Sequence, residues 1–154
     1  MRPHEICVIF QQKYLESLLS KPQDDHSMNL LGHGIDIIEI SRVERLLANP
    51  HDDWLLATFS ATERSLATPL SARARFFAGR FAAKEAVGKA LGTGISGDIA
   101  WTDIEILRDV NGTPMVCLTG EALEVANALG VTRWLISISH TETYAVASVI
   151  AIIM

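Results

Sequence analysis

Cysteine is scarce: the 154 residues hold only Cys7 and Cys117, far apart and in no zinc-site or redox-motif spacing. That excludes a disulfide-stapled scaffold, and both thiols are expected to be reduced, as in a cytosolic protein. Positive charge is also in short supply. Thirteen Lys and Arg face eighteen Asp and Glu, a formal net charge of −5 that argues against a nucleic-acid partner, which would call for a clustered basic surface. Long hydrophobic runs are missing too. The greasiest stretch, residues 145–154, is about half the ~20 residues that a membrane span needs. Gln11, Gln12 and Lys13 break the early apolar run, so no signal-peptide core forms. A cytoplasmic protein without a membrane partner is expected. Apolar residues at 49% are too many for a disordered chain, and the length suits one packed domain.

Residues 1–27 differ from the remainder. Residues 6–19 could form an amphipathic helix, and 20–27 read as a polar linker containing Pro22, directly before a second methionine, Met28. The expected division is therefore an N-terminal extension, 1–27, and a folded domain, 28–154, with the extension dispensable. Residues 30–38 read as a strand, rich in β-branched side chains and holding Gly32 and Gly34. Ser41 and Glu44 suggest a capping box opening a helix that Asn49-Pro50 closes. Residues 54–59 suggest a short helix, Ser60 and Glu63 a second capping box, and Pro69 a stop.

The strongest helix spans 71–91: it lacks proline, is rich in alanine, and ends at Gly92-Thr93-Gly94. Two strands then flank Asn111-Gly112, a strong hairpin signal, and a helix runs from Thr119 to a stop at Gly130. A final hairpin, 133–139 and 144–153, turns at 141–143. Strands and helices mix without strict alternation, which predicts an α+β fold with a mainly antiparallel sheet packed on the long central helix.

That helix is apolar or small nearly all round, so its charges stand out. Helical spacing puts Phe77, Phe81, Lys84, Glu85, Gly88 and Gly92 on one broad face, with the two glycines leaving room for a ligand. The spacing alone is equally compatible with Glu85 and Lys89 forming a surface pair worth about 0.3 kcal/mol. Asp36 interrupts a β-branched run. As a lone acid it is explained by backbone hydrogen bonds at the strand end; converging with Glu85, it would make an oxygen-rich site suited to Mg²⁺. Ser139 and His140 do not form a hydrolase pair, because adjacent strand residues point to opposite faces and no G-x-S-x-G elbow occurs. Arg42 and Arg45 are most simply solvated charges on the first helix.

Two separated motifs now match one family in the same order. Gly34-Ile-Asp-Ile-Ile-Glu-Ile-Ser-Arg42 is similar to a G-x-D-x-x-E-x-x-R signature, and Phe81-Ala-Ala-Lys-Glu-Ala-Val-Gly-Lys-Ala90 to F-x-x-K-E-A-x-x-K-A. With the glycine turn at 92–95, the Asn111 hairpin and the 137–141 strand end, the chain from about Leu30 onward resembles the holo-acyl-carrier-protein synthases, short trimeric members of the 4′-phosphopantetheinyl transferase superfamily. Residues 1–27 have no counterpart there, and Met28 stands where family chains usually begin.

The resemblance implies the 4′-phosphopantetheinyl transferase fold and transfer of 4′-phosphopantetheine from coenzyme A to a serine of apo-acyl-carrier protein, in fatty acid biosynthesis, with Mg²⁺ as cofactor. It also implies a homotrimer whose interfaces build the coenzyme A sites, with the apolar C-terminal strand as the expected contributor. Carried over, Asp36 and Glu85 would hold Mg²⁺ and, with Lys89, carry the chemistry. Lys84, Lys89, Gly92, Gly94, Ser139 and His140 would bind coenzyme A, and Arg42 would meet the acidic carrier. The proton acceptor stays open between Glu85, Asp36 and a metal-bound hydroxide. A metal-dependent phosphohydrolase and a non-catalytic coenzyme A-binding module are the competing readings.

Overall fold

The structure, a computed structural model, describes residues 29–49, 53–67 and 72–154; the expected extension 1–27 and the Pro69 helix stop lie outside the described residues. β1 (Asn29–Glu39) pairs antiparallel with β5 (Tyr144–Ile153), and β5 pairs on its other edge with β4 (Val131–His140), giving the order β1-β5-β4. β2 (Ile104–Arg108) and β3 (Pro114–Leu118) form a separate antiparallel pair. The helices are α1 (Ile40–Ala48), α2 (Trp54–Thr58), α3 (Ala61–Ser65), the central α4 (Arg73–Leu91) and α5 (Gly120–Ala128). The chain is α+β with its sheets antiparallel, as the unalternating pattern of strands and helices predicts.

Local chemistry explains most boundaries. Ser60 accepts a hydrogen bond from the Glu63 N–H while the Glu63 carboxylate accepts one from the Ser60 N–H, so the second capping box forms in full. The first does not. β1 runs straight into α1, Glu39 occupies the N-cap without a side-chain bond, and Ser41 is already inside the helix. The Ile40 N–H finds its acceptor instead in the Thr143 carbonyl of the β4–β5 turn, 2.8 Å away. That turn is held by Thr141, whose Oγ1 accepts from the N–H groups of Thr143 and Tyr144. In the β2–β3 loop, Asp109 accepts from Asn111 and Thr113 N–H, and Gly112 takes the positive φ of 85° that the turn needs.

α4 packs against β1 and β5 through small residues. Ala82, Ala83, Ala86 and Val87 of the helix and Ala145, Ala147, Val149 and Ala151 of β5 are buried. β1 comes closest of all: a Cβ at Gly32 would stand 2.1 Å from the Ala90 carbonyl oxygen, and one at Gly34 1.8 Å from that of Ala86. The first half of α4 is gripped by aromatics. Phe59 and Phe77 lie 4.6 Å apart and fully buried, and Trp54 meets Phe59 edge-on. Each such side chain contributes about 1.5–3 kcal/mol, which fixes the N-terminal half of α4, away from Glu85 and Lys89.

Cys117 is buried beside Leu107 and Met115, and Cys7 lies outside the described residues.

Candidate functional site

Asp36 sits on the face of β1 that looks toward α4, since its cross-strand partner Ala147 is buried there and its neighbours Ile35 and Ile37 point outward. The glycine contacts two and four residues earlier bring that face hard against the helix. Lys89 of α4 donates to the Asp36 carboxylate at 2.8 Å and to the Ile35 carbonyl at 2.9 Å. The ammonium therefore bridges to β1 instead of pairing with Glu85, and the surface-pair explanation of the two helix charges does not hold.

Glu85 lies one turn before Lys89. Partial burial pushes its carboxyl above the usual carboxylate range, the negative charge of Asp36 pushes it further, and Lys89 and Arg42 draw it back. So β1, α1 and α4 bring two carboxylates, one ammonium and one guanidinium within electrostatic reach of each other. The like-charged pair is the costly element of this arrangement. Folding holds together two acids that repel, and such a pair is relieved by a cation placed between them.

Lys84 is a different case. Its ammonium is wholly enclosed on another side of α4, donating to Glu63 at 2.8 Å and to the carbonyls of Thr58 and Trp101 at 2.8 and 2.9 Å. All three donors of the ammonium have acceptors. Burial pulls its pKa down, with Glu63 opposing. In this structure Lys84, which the resemblance places near donor phosphates, has its donors engaged within the fold; five residues from Lys89 is about 140° around a helix, and the two lysines face different neighbours.

The glycines are likewise occupied with the fold. Gly88 leaves no room for a ligand, since a Cβ there would meet Gly94 at 2.8 Å and Ile95 at 3.0 Å. Gly92 and Gly94 have positive φ, 77° and 65°, and their N–H groups close the helix end on the Lys89 and Gly88 carbonyls. Neither amide is left to face a phosphate. Ser139 and His140 are exposed at the end of β4, with β5 between them and β1. Two strand spacings, about 10 Å, separate them from Asp36 in the same subunit.

Arg42 is exposed on α1 and joins Arg45, Ile37, Ile38, Glu39 and Tyr144 in lining a shallow groove beside the carboxylates. The sequence pattern makes Arg45 a solvated charge and does not single out Tyr144. It misses two further residues. Glu63 reads only as a cap, although its lack of exposure makes it the counter-ion of Lys84. Arg80 is buried over the Phe76 ring with its Nε unpaired, and burial lowers its pKa to about 10. A signal for both is present in the chain: charges set among the aromatics of α4 need buried partners.

A family model described as the 4′-phosphopantetheinyl transferase superfamily matches residues 32–148. The holo-[acyl-carrier-protein] synthase of Natranaerobius thermophilus is 46% identical over 121 residues, covering 79% of this chain and 96% of that relative. That of Koribacter versatilis is 42% identical over 121 residues, covering 79% and 97%. Among solved structures, the chain is similar to a holo-(acyl-carrier-protein) synthase from Bacillus anthracis in complex with CoA (3′,5′-ADP), with TM-score 0.68 and 36% identity over 83% of this chain and 100% of that one. It is also similar to the Helicobacter pylori synthase in complex with coenzyme A, with TM-score 0.67 and 31% identity over 77% and 98%.

Proposed function

Since the chain belongs to the 4′-phosphopantetheinyl transferase superfamily, we propose that it is a holo-acyl-carrier-protein synthase, which moves 4′-phosphopantetheine from coenzyme A to a serine of an apo-acyl-carrier protein. The observation that carries this reading is the meeting of Asp36, Glu85 and Lys89 where β1 crosses α4. In the reaction the serine oxygen bonds to the β-phosphorus of coenzyme A, the bond from that phosphorus to the bridging oxygen breaks, and adenosine 3′,5′-bisphosphate leaves. Such transfers depend chiefly on positioning and on neutralising charge on phosphate oxygens.

Magnesium fits the residues present. Among the described residues no three His, Cys, Asp or Glu gather as a ligand set, but Mg²⁺ is commonly held by one or two carboxylates, with water and substrate phosphate completing its shell. Asp36 and Glu85 would hold it, and their mutual repulsion would be relieved. When bound, the ion would supply positive charge against the pyrophosphate oxygens. Lys89, half exposed and already oriented by Asp36 and Ile35, would add its positive charge there. Glu85 or Asp36 would take the serine proton. Arg42, with Arg45 beside it, would guide the acidic carrier, an electrostatic pairing that speeds encounter.

The test is mass spectrometry of an apo-acyl-carrier protein incubated with the chain, coenzyme A and Mg²⁺. A phosphopantetheine mass gain on the carrier and release of adenosine 3′,5′-bisphosphate are expected, and a chelator should abolish both. Phosphate-ester cleavage that needs no carrier would show a phosphohydrolase instead, and coenzyme A binding without turnover a binding module.

A homotrimer belongs to the same reading. The outward face of the β1-β5-β4 sheet leaves Ile35 55%, Ile37 63% and Leu135 42% exposed, with Val146 and Ile150 half-buried between them. An apolar surface of this kind in a soluble enzyme marks an interface. The C-terminal strand is the contributor expected from sequence; β5 is central in the sheet, and the more exposed side chains are those of β1. Ser139 lies on this outward face and His140 at its end, where they could serve a neighbouring subunit's coenzyme A. Light scattering is expected to give three subunits, and a monomer fully active at high dilution would overturn this. A cytoplasmic location and a role in fatty acid biosynthesis complete the proposal. No described helix is long and apolar enough to cross a membrane.

A further inference from the structure

Lys84 and Glu63 are both fully enclosed, yet neither belongs to the carboxylate cluster. The Glu63 carboxylate accepts from Lys84, from the Ser60 N–H at 3.0 Å and from the Ile106 N–H at 3.1 Å. Lys84 reaches in turn to the end of α2 at Thr58 and to the short 3-10 turn at Trp101. Two side chains thus tie α2, α3, that turn and β2 to one point on α4. Phe81 stacks on Trp101 at 4.9 Å and the Phe59 ring lies 5.2 Å from the ammonium, closing the site to water.

A buried ion pair is a poor way to gain stability, because its desolvation offsets much of the attraction, and apolar side chains of similar size pack as well. What hydrogen bonds add is direction. An apolar contact tolerates a helix turning slightly on its axis; three acceptors around one ammonium do not. The next residue is Glu85, about 100° further round. A rotation of α4 by about 20° would carry a carboxylate lying about 5 Å from the axis through about 2 Å, enough to separate it from Asp36. On the sheet side, the backbone contacts at Gly32 and Gly34 set the depth of the helix against β1. The hub at Lys84 sets its rotation.

We propose that Lys84, through Glu63, is a positioning residue for the transfer reaction: it fixes the rotation of α4 that presents Glu85 to Asp36. This rests on the proposed transferase reading. It gives a lysine that the family resemblance would place near phosphate a different task, and it brings in a glutamate buried apart from the carboxylate cluster.

The experiment compares wild type, Glu63→Gln and Lys84→Met/Glu63→Gln. The double variant removes both charges together, so no single buried charge is left uncompensated. Transfer kinetics at varied coenzyme A, coenzyme A binding by calorimetry without carrier, and thermal melting are measured. Both variants are expected to melt cooperatively, with kcat lowered about tenfold or more by misplacement of a reacting group and the coenzyme A Kd and KM within about threefold of wild type. Wild-type kcat in folded Glu63→Gln would overturn the positioning role and leave the pair merely structural. A coenzyme A Kd weakened about tenfold in the double variant, with kcat retained, would overturn it in favour of phosphate contact. Should the double variant not fold, Glu63→Gln alone decides. A wild type that transfers nothing would overturn the proposed function; a transferring wild type matched by Glu63→Gln overturns only the inference.

Discussion

Gly34→Ala is expected to cripple both the fold and the transfer reaction. The added methyl would stand 1.8 Å from the Ala86 carbonyl oxygen, 2.8 Å from the Ala86 carbonyl carbon and 2.9 Å from the Ala90 nitrogen. All three are backbone atoms of α4, so no side chain can swing aside. Either β1 or the helix must move by an ångström or so. Overpacking of this kind typically costs about 1–3 kcal/mol, and a rigid helical backbone puts this site at or above the top of that range. For a chain of this size the midpoint should fall by about 10 °C.

The same displacement parts Asp36 from Lys89, because Asp36 lies two residues beyond Gly34 while Glu85 and Lys89 flank Ala86. Gly92→Ala is the contrast. Nothing stands within 4 Å of its Cβ, and only its φ of 77° is unfavourable, so a loss of about 1–2 kcal/mol is expected there. Differential scanning calorimetry of both variants checks the pair, and an unchanged midpoint for Gly34→Ala would refute the close-packing argument.

Glu85→Gln is expected to do the opposite: to spare the fold and remove the reaction. The amide keeps the shape, so packing is unaltered. Folding raises the Glu85 pKa, through burial first and Asp36 second. A carboxyl with a raised folded-state pKa disfavours the folded state once pH climbs above its unfolded value. At neutral pH the substitution removes that penalty, and the midpoint should stay level or rise. Transfer should fall by a factor of about 10²–10³, the range seen when one preorganised electrostatic group is lost. Steady-state assays at saturating Mg²⁺, set beside the melting curve, distinguish a functional loss from a structural one. Near wild-type turnover in the folded variant would remove Glu85 from the site.

Local chemistry determined a large part of this protein from its sequence. The capping box at Ser60 and Glu63, the hairpin at Asn111-Gly112, the proline-free run ending at Gly92 and the apolar-strand pattern at the C-terminus each depend on residues a few positions apart, and each forms where its chemistry places it. The ordered motifs at 34–42 and 81–90 likewise marked the family, because the residues of a site can be recognised before their convergence is seen. Contacts between distant segments were beyond such reading. Ser41 lies inside the helix because α1 begins one residue earlier, with the Ile40 N–H bonded to the Thr143 carbonyl of the β4–β5 turn. The gap at Gly88 was filled by the chain's own turn. Above all, Lys84 and Lys89 are the same residue type five positions apart on one helix, and nothing local separates them. The tertiary structure does so: one ammonium meets a buried glutamate and two carbonyls, the other meets Asp36 at the edge of the sheet, and burial on one side of α4 and not the other decides which lysine is free to meet a substrate.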